Sequence, residues 1–426
     1  MHASNDWPQF RGPEGSGVGT HPKSPIDWAP NRGIAWSRSI PGRSWSSPVI
    51  ADGRVVATTV VRPGPGEEPR KGLYFGGERP EVPTEPQAYR VLCFDLASGK
   101  PLWERTVHEA PPSTPVHLKN TYGAETPVIS GGLVVAKFGG VGLFGLDLKT
   151  GAVRWRRTLA PRKTRFGWGG ASSPVVCSGR VIDVDDNEER SEIVATDLRD
   201  GRVAWRTARD EGSNWATPFV WRTGDRVDIV TAGSRAIRGY DPDGRERWSM
   251  RGMSSIAIPT PFAGGGLLYV TSGYVGDAYR PLHAIRPSPV GDITLPDATF
   301  SSKHVAWSLP TAGPYNPTPV LHDGRLFVLF DRGLASCHDA RTGRKLYDRQ
   351  RLDGSFAFTA SPWAAAGRIF CLDESGRCHV LGASDRFVPE RICRFSEEEE
   401  MCMATPALSG DRLVIRTAGR LVCIRG

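Results

Sequence analysis

The chain has 426 residues, a formal net charge of +8, 39% hydrophobic residues, 49 Gly and 35 Pro. It is low in apolar mass and rich in turn formers, as all-β proteins of many short strands are. No apolar run approaches the roughly 18 residues that a membrane helix needs, so no membrane span is expected. Only nine of the 54 basic residues are Lys, and the Arg are scattered along the whole chain. That reads as a solvated surface, and no nucleic-acid partner is expected.

In chain order, residues 1–7 (Met-His-Ala-Ser-Asn-Asp-Trp) carry neither the basic nor the apolar segment of a signal peptide. The expected location is the periplasm or cell envelope if such a peptide has been removed, and the cytoplasm otherwise. Residues 1–33 read as an N-terminal arm. Residues 34–40, around Trp36, read as a lone strand.

From Ser47 onward the chain repeats itself. Ser/Thr-Pro steps at Ser47, Thr126, Ser173, Thr217, Thr260, Thr318, Ser361 and Thr405 open eight units. A short apolar strand follows, then a tight turn such as Asp52-Gly53, Gly131-Gly132 or Asp323-Gly324. These pairs are strong hairpin signals because both turn residues need a positive φ. A second strand comes next, and then a third that ends on an Asp step (Asp95-Leu96, Asp147-Leu148, Asp197-Leu198, Asp241-Pro242). A Gly-x-x-x-Trp phrase closes the unit at Gly99–Trp103, Gly151–Trp155, Gly201–Trp205 and Gly244–Trp248, with a degenerate echo at Gly343–Tyr347.

A repeat of this length cannot bury its own faces and must stack on copies of itself. Four antiparallel strands per unit make a propeller blade. The eighth unit, 405–426, has room for only three strands, and residues 34–40 supply the fourth. The expected fold is therefore one all-β domain over 1–426. It is an eight-bladed β-propeller of four-stranded antiparallel blades, closed by the N-terminal strand; the alternative is seven blades plus a stray hairpin. Closure leaves no sheet edge exposed, and a monomer is expected. The repeated Trp residues are expected between neighbouring blades, each N–H on a backbone acceptor. Two unpatterned segments, 62–88 and 278–303, read as inserted loops over one face.

Eight Cys include no Cys-x-x-Cys, which argues against a zinc or redox motif. Most read as small buried hydrophobes. Cys371/Cys378 and Cys393/Cys402 are the pairs close enough in sequence to be checked for a bond.

The phrase Leu148-Lys149-Thr150-Gly151-Ala152-Val153-Arg154-Trp155 resembles the blade signature of proteins with pyrroloquinoline-quinone-like (PQQ-like) β-propeller repeats. The opening Trp7-Pro8-Gln9-Phe10-Arg11-Gly12-Pro13 is similar to the mature start of a large bacterial branch of that family, typically exported. The resemblance spans essentially the whole chain and implies the fold. For function it implies several things, since the fold hosts quinone dehydrogenases and an assembly lipoprotein alike. The dehydrogenases carry two adjacent Cys and a calcium held by Glu, Asn and Asp; no two Cys are adjacent here. Pyrroloquinoline quinone and calcium are therefore not expected as cofactors. The weak metal candidates are Asp186, Asn187 and Glu188, in an acidic loop read as solvated.

The segments leading into the inner strands are rich in aromatics interleaved with polar residues. Those picked out are Trp45, Tyr122, Glu125, Arg165, Trp168, Asn214, Trp215, Tyr315, Asn316 and Phe358. A funnel rimmed in this way suits a flat or carbohydrate-like ligand, with rings to stack on and amides to orient it. The expected function is a non-catalytic binding or assembly scaffold for such a ligand or for a protein partner. The alternative is an enzyme on the same funnel, quinone-dependent or carbohydrate-active. In the latter, Glu125 would pair with Asp186 or Glu188.

Overall fold

The computed structural model describes residues 6–64, 69–72, 76–79 and 81–426. Eight sheets follow one another around a ring, each built on four antiparallel strands that come in chain order except in the last, and two of the sheets carry a short fifth, parallel strand. Blade 1 is Val49–Ala51, Arg54–Val61, Gln87–Asp95 and Pro101–Ala110. Blade 8 is Ala407–Ser409, Arg412–Arg416 and Arg420–Arg425, completed by Ile34–Ser39. That strand runs antiparallel to the last, with Trp36 opposite Cys423 and Arg38 opposite Leu421. The ring thus closes head to tail, as the incomplete eighth repeat requires.

Position within a blade decides the burial pattern. The middle strands, such as Leu133–Phe138 and Gly142–Asp147, are buried along nearly their whole length. They have a neighbouring blade on each face, so neither face turns to water. The outer strands alternate, as Val203–Ala208 does. The hairpin turns take the conformation their residues predict. Asp52, Ser178, Asp323 and Ala366 have φ near +50°, each followed by a Gly with φ near +70°.

The Gly-x-x-x-Trp phrase is the fastening between blades. The indole N–H of Trp103 donates to the Leu148 carbonyl of the next blade at 3.0 Å, and Trp155 does the same to Leu198 at 2.9 Å. The ring lies so close to the next turn that a Cβ on Gly151 would come within 2.6 Å of Trp103. The Asp of the phrase holds that turn: Asp147 accepts the Thr150 N–H at 2.9 Å, and Asp95 accepts that of Ser98 at 2.8 Å. Trp36, Trp205 and Trp307 repeat the device.

The segment 278–303 holds more than a loop. Leu282–Ile285 within it is the third strand of blade 5. Gly291–Asp292 adds a fifth strand, parallel, to the outer edge of blade 4, with Gly291 opposite Trp248. This part lies on the rim of the ring and not over a face. Of 62–88, residues 65–68, 73–75 and 80 are outside the described residues. The rest reaches across to blade 7, where the Gly72 N–H donates to Glu374 at 2.9 Å.

The N-terminal arm is built into the ring; its residues 1–5 are outside the described residues. Trp7 pairs with Ile50, and Val18–Gly19 lies parallel to Ala364–Ala365 of blade 7. Between them Arg11 is fully buried. All eight Cys are buried and free; Cys378 and Cys393 face each other in register. No helix among the described residues is long and apolar enough to cross a membrane.

Candidate functional site

The eight Ser/Thr-Pro steps converge on the axis. Proline keeps each preceding residue extended, and the hydroxyls of all eight line one cavity of about 230 Å³. Six links of a ring join successive blades. The Ser47 N–H donates to the Thr126 hydroxyl at 3.0 Å, Thr126 to Ser173 at 2.9 Å and Ser173 to Thr217 at 3.1 Å. Thr260 donates to Thr318 at 2.9 Å, Thr318 to Ser361 at 3.0 Å and Ser361 to Thr405 at 3.0 Å. Phe10, from the arm, also lines the cavity.

Above the hydroxyls the wall is aromatic: Trp45, Trp168, Trp215 and Tyr315, joined by Asn316, His117, Lys119 and Asn120. Hydrogen bonds between neighbouring loops set these rings. Trp45 Nε1 donates to the Lys119 carbonyl at 2.8 Å and Trp215 Nε1 to that of Gly169 at 2.7 Å. Asn120 Nδ2 donates to the Trp168 carbonyl at 2.9 Å. The Trp168 and Trp215 ring centres are 5.8 Å apart. Buried carboxylates behind the wall hold its loops. Asp331 accepts the N–H groups of Tyr315 (2.9 Å) and Asn316 (3.0 Å). Glu374, whose side chain is fully buried, pairs with Lys119 Nζ at 2.7 Å.

Comparison with known proteins places this architecture. The family model described as "Outer membrane protein assembly factor BamB" matches residues 28–231. BamB from Moraxella catarrhalis superposes with a TM-score of 0.61 at 14% identity, over 92% of this chain and 99% of that one. A europium-containing methanol dehydrogenase gives 0.63 at 10% identity, over 99% and 98%. The fold is that of the PQQ-like β-propellers. A quinohemoprotein alcohol dehydrogenase from Comamonas testosteroni shares the architecture as well, with a TM-score of 0.61 at 13% identity over 99% of this chain and 80% of that one. No curated protein sequence matches the chain.

Within this propeller, five of the ten residues chosen from sequence line the funnel: Trp45, Trp168, Trp215, Tyr315 and Asn316. Tyr122 and Glu125 line a separate small cleft between blades 2 and 3. Tyr122 donates its hydroxyl proton to the Thr114 carbonyl at 3.0 Å. Glu125 is buried and accepts the Gly139 N–H at 3.0 Å; desolvation pushes its carboxyl up to about 7, against the pull of Lys137. Arg165 and Asn214 brace the wall from behind. Arg165 donates to the Ser255 carbonyl at 3.0 Å, and Asn214 accepts the Ala257 N–H at 3.1 Å. Phe358 is in the core, 5.9 Å from the His379 ring, and its neighbour Thr359 faces the funnel instead.

The acidic loop is solvated only at Glu188 and Glu189; Asp183, Asp186 and Asn187 are buried, which corrects their reading. Asp183 pairs with Lys137 at 2.6 Å and Arg157 at 3.1 Å. Burial opposes both charges of the Lys137–Asp183 pair, and their mutual attraction outweighs it, holding Lys137 up and Asp183 down. Asp186 is bidentate to the fully buried Arg209 at 2.7 and 3.0 Å. Asn187 caps its own loop through Glu189 and Arg190, and Glu188 accepts the Ser213 N–H at 3.0 Å. With their oxygens so engaged, Asp186, Asn187 and Glu188 do not form an open cation site. No group of three or more metal-ligating side chains occurs among the described residues.

Sequence reasoning missed Phe10, Glu374 and the ring of hydroxyls. The hydroxyls had a signal: all eight repeats put Ser or Thr before the Pro, more regularly than a turn alone needs. Nothing local marked Phe10 or Glu374, which reach the funnel only through the closed ring.

Proposed function

We propose that the chain is a binding scaffold whose funnel receives a small, flat or carbohydrate-like ligand. The observation that carries this reading is the wall of four aromatic rings around one cavity whose lining, among the described residues, holds no carboxylate and no Cys. Rings stack on flat or sugar faces, and Asn316, Asn120 and the hydroxyls supply the few polar groups that fix orientation. A calcium–quinone centre needs several oxygen ligands, carboxylates among them. The acids near this funnel are taken up by Lys119 and by main-chain N–H groups, so the residues present do not fit that centre. The deciding experiment is a glycan and small-aromatic binding screen on the intact protein, repeated with Trp168→Ala and Trp215→Ala. Loss of binding by tenfold or more is expected from either; binding unchanged in both removes the funnel from consideration.

A protein partner on the same face is the second reading. It is supported by the likeness to BamB, named as an outer membrane protein assembly factor, and by two exposed rings. Phe166 and Phe356 stand on the loops leading into blades 3 and 7, across the ring from each other. Each has a guanidinium above it, Arg165 at 5.2 Å and Arg351 at 5.4 Å. Phe166 holds a φ of +54°, a conformation that costs a non-glycine residue energy and leaves its ring in water.

A further inference from the structure

We propose that the floor of the funnel is a receptor for an oxyanion. The ligand would enter with a carboxylate, phosphate or sulfate head against the hydroxyl ring and its flat body between the aromatic walls. This deepens the funnel reading and rests on it.

The first observation is the state of the hydroxyls. Thr126, Ser173, Thr217, Thr318, Ser361 and Thr405 each accept a main-chain N–H from the preceding blade. A hydroxyl that accepts such a bond still has its own proton to donate. All six are more than nine-tenths buried and line the cavity, and none of their protons meets an acceptor among the described residues. Ser47 and Thr260 stand at the two gaps in the ring, and among the described residues their hydroxyls take part in no hydrogen bond. A set of donors around one space suits an acceptor with several lone pairs. An oxyanion meets several such donors at once.

The second observation is independent of the first and lies beneath the floor. Arg11 is fully buried, and its five donors all go to carbonyl oxygens: Gly15 (3.2 Å), Ser16 (3.1 Å), Thr318 (3.2 Å), Pro319 (2.7 Å) and Pro362 (3.4 Å). Among the described residues no carboxylate balances it. Thr318 is a member of the hydroxyl ring, and Phe10, the residue before Arg11, lines the cavity. In a low-dielectric interior the field of such a charge reaches the floor with little screening. Other charges near the funnel cancel locally: Lys119 is paired with Glu374, and Asp331 accepts the Tyr315 and Asn316 N–H groups. Burial holds His117 toward its neutral form. The excess at the floor is therefore positive.

The test uses tryptophan fluorescence and calorimetry on the intact protein with benzoate, phenyl phosphate and phenyl sulfate, and with benzamide as the neutral match. The acids are expected to bind at least tenfold more tightly than benzamide, and their ranking identifies the head. Ser47→Ala combined with Thr260→Val deletes two hydroxyls that hold nothing in the fold. It is expected to weaken the acids at least fivefold more than it weakens benzamide, and to leave Tm unchanged. If benzamide equals the acids, or the double variant binds them as before, the oxyanion receptor is wrong. Binding that is neutral in preference yet lost in Trp168→Ala would leave the funnel reading standing alone. If neither these probes nor the glycans bind, both readings fall.

Discussion

Trp36 lies on Gly99. A Cβ on that glycine would come within 2.5 Å of the indole, whose N–H donates to the Leu96 carbonyl at 2.9 Å. Trp36 comes from the head of the chain and Gly99 from the turn before the last strand of the first blade, so this contact helps to fasten blade 8 to blade 1.

Gly99→Ala meets two costs at once. Its φ of +68° is the left-handed region, and the added methyl collides with a ring that has little room to move. The variant is expected to lose about 2–3 kcal/mol in urea unfolding. Gly53→Ala, with a φ of +68° and open space around it, should lose only about 1 kcal/mol. Equal losses would mean that the Trp36 contact adds nothing.

Trp155 and Trp248 occupy equivalent outer-strand positions and differ in one bond. Trp155 Nε1 donates to the Leu198 carbonyl, whereas the buried Trp248 Nε1 has no acceptor. Blade 5 lacks the Asp-x-x-x-Gly turn, and Gly291–Asp292 runs along the Trp248 strand in its place. Both Trp→Phe changes shrink the ring, but only Trp155→Phe strands a carbonyl. Thermal unfolding should therefore show Trp155→Phe costing about 1 kcal/mol more than Trp248→Phe. The reverse order would contradict this account.

Glu125 sets a pH dependence. Its carboxyl sits near 7 in the fold, mainly through desolvation, against an ordinary value of 4.5. A group raised on folding contributes stability that is fully present below its unfolded pKa and is lost as pH rises through the folded one. Asp185, pushed up to about 6 by burial, acts in the same direction. Stability is thus expected to fall between about pH 5 and 8, with Glu125 accounting for on the order of 2–3 kcal/mol. Glu125→Gln keeps an oxygen for the Gly139 N–H and should flatten most of that slope. Denaturation midpoints at pH 5 and pH 8 check it, and an unchanged slope in the variant would refute the assignment.

The blade count, the order of strands and the head-to-tail closure were legible because each rests on a local rule. Asp52-Gly53 must turn, a phrase that ends in Trp must find a partner, and three strands after Thr405 need a fourth. The funnel was only half legible. Trp45, Trp168 and Trp215 could be picked out because each lies just before a Ser/Thr-Pro step, but that position does not say which way a side chain points. Phe356 and Phe358 show the difficulty. Two residues apart on one loop, the first is 68% exposed and the second is fully buried. Asp186 failed for a related reason: a run of acids looks solvated until Arg209, 23 residues on, is folded against it.

The sequence by itself determined the repeat and its closure, because backbone turns, glycine contacts and strand complementarity act over a few residues or between identical copies. Only the tertiary structure decided what the axis holds. Phe10, Trp215 and Thr405 meet at one cavity because ring closure brings every eighth of the chain to the same centre. The chemistry there is a sum over eight blades and an arm, and no single stretch of sequence carries it.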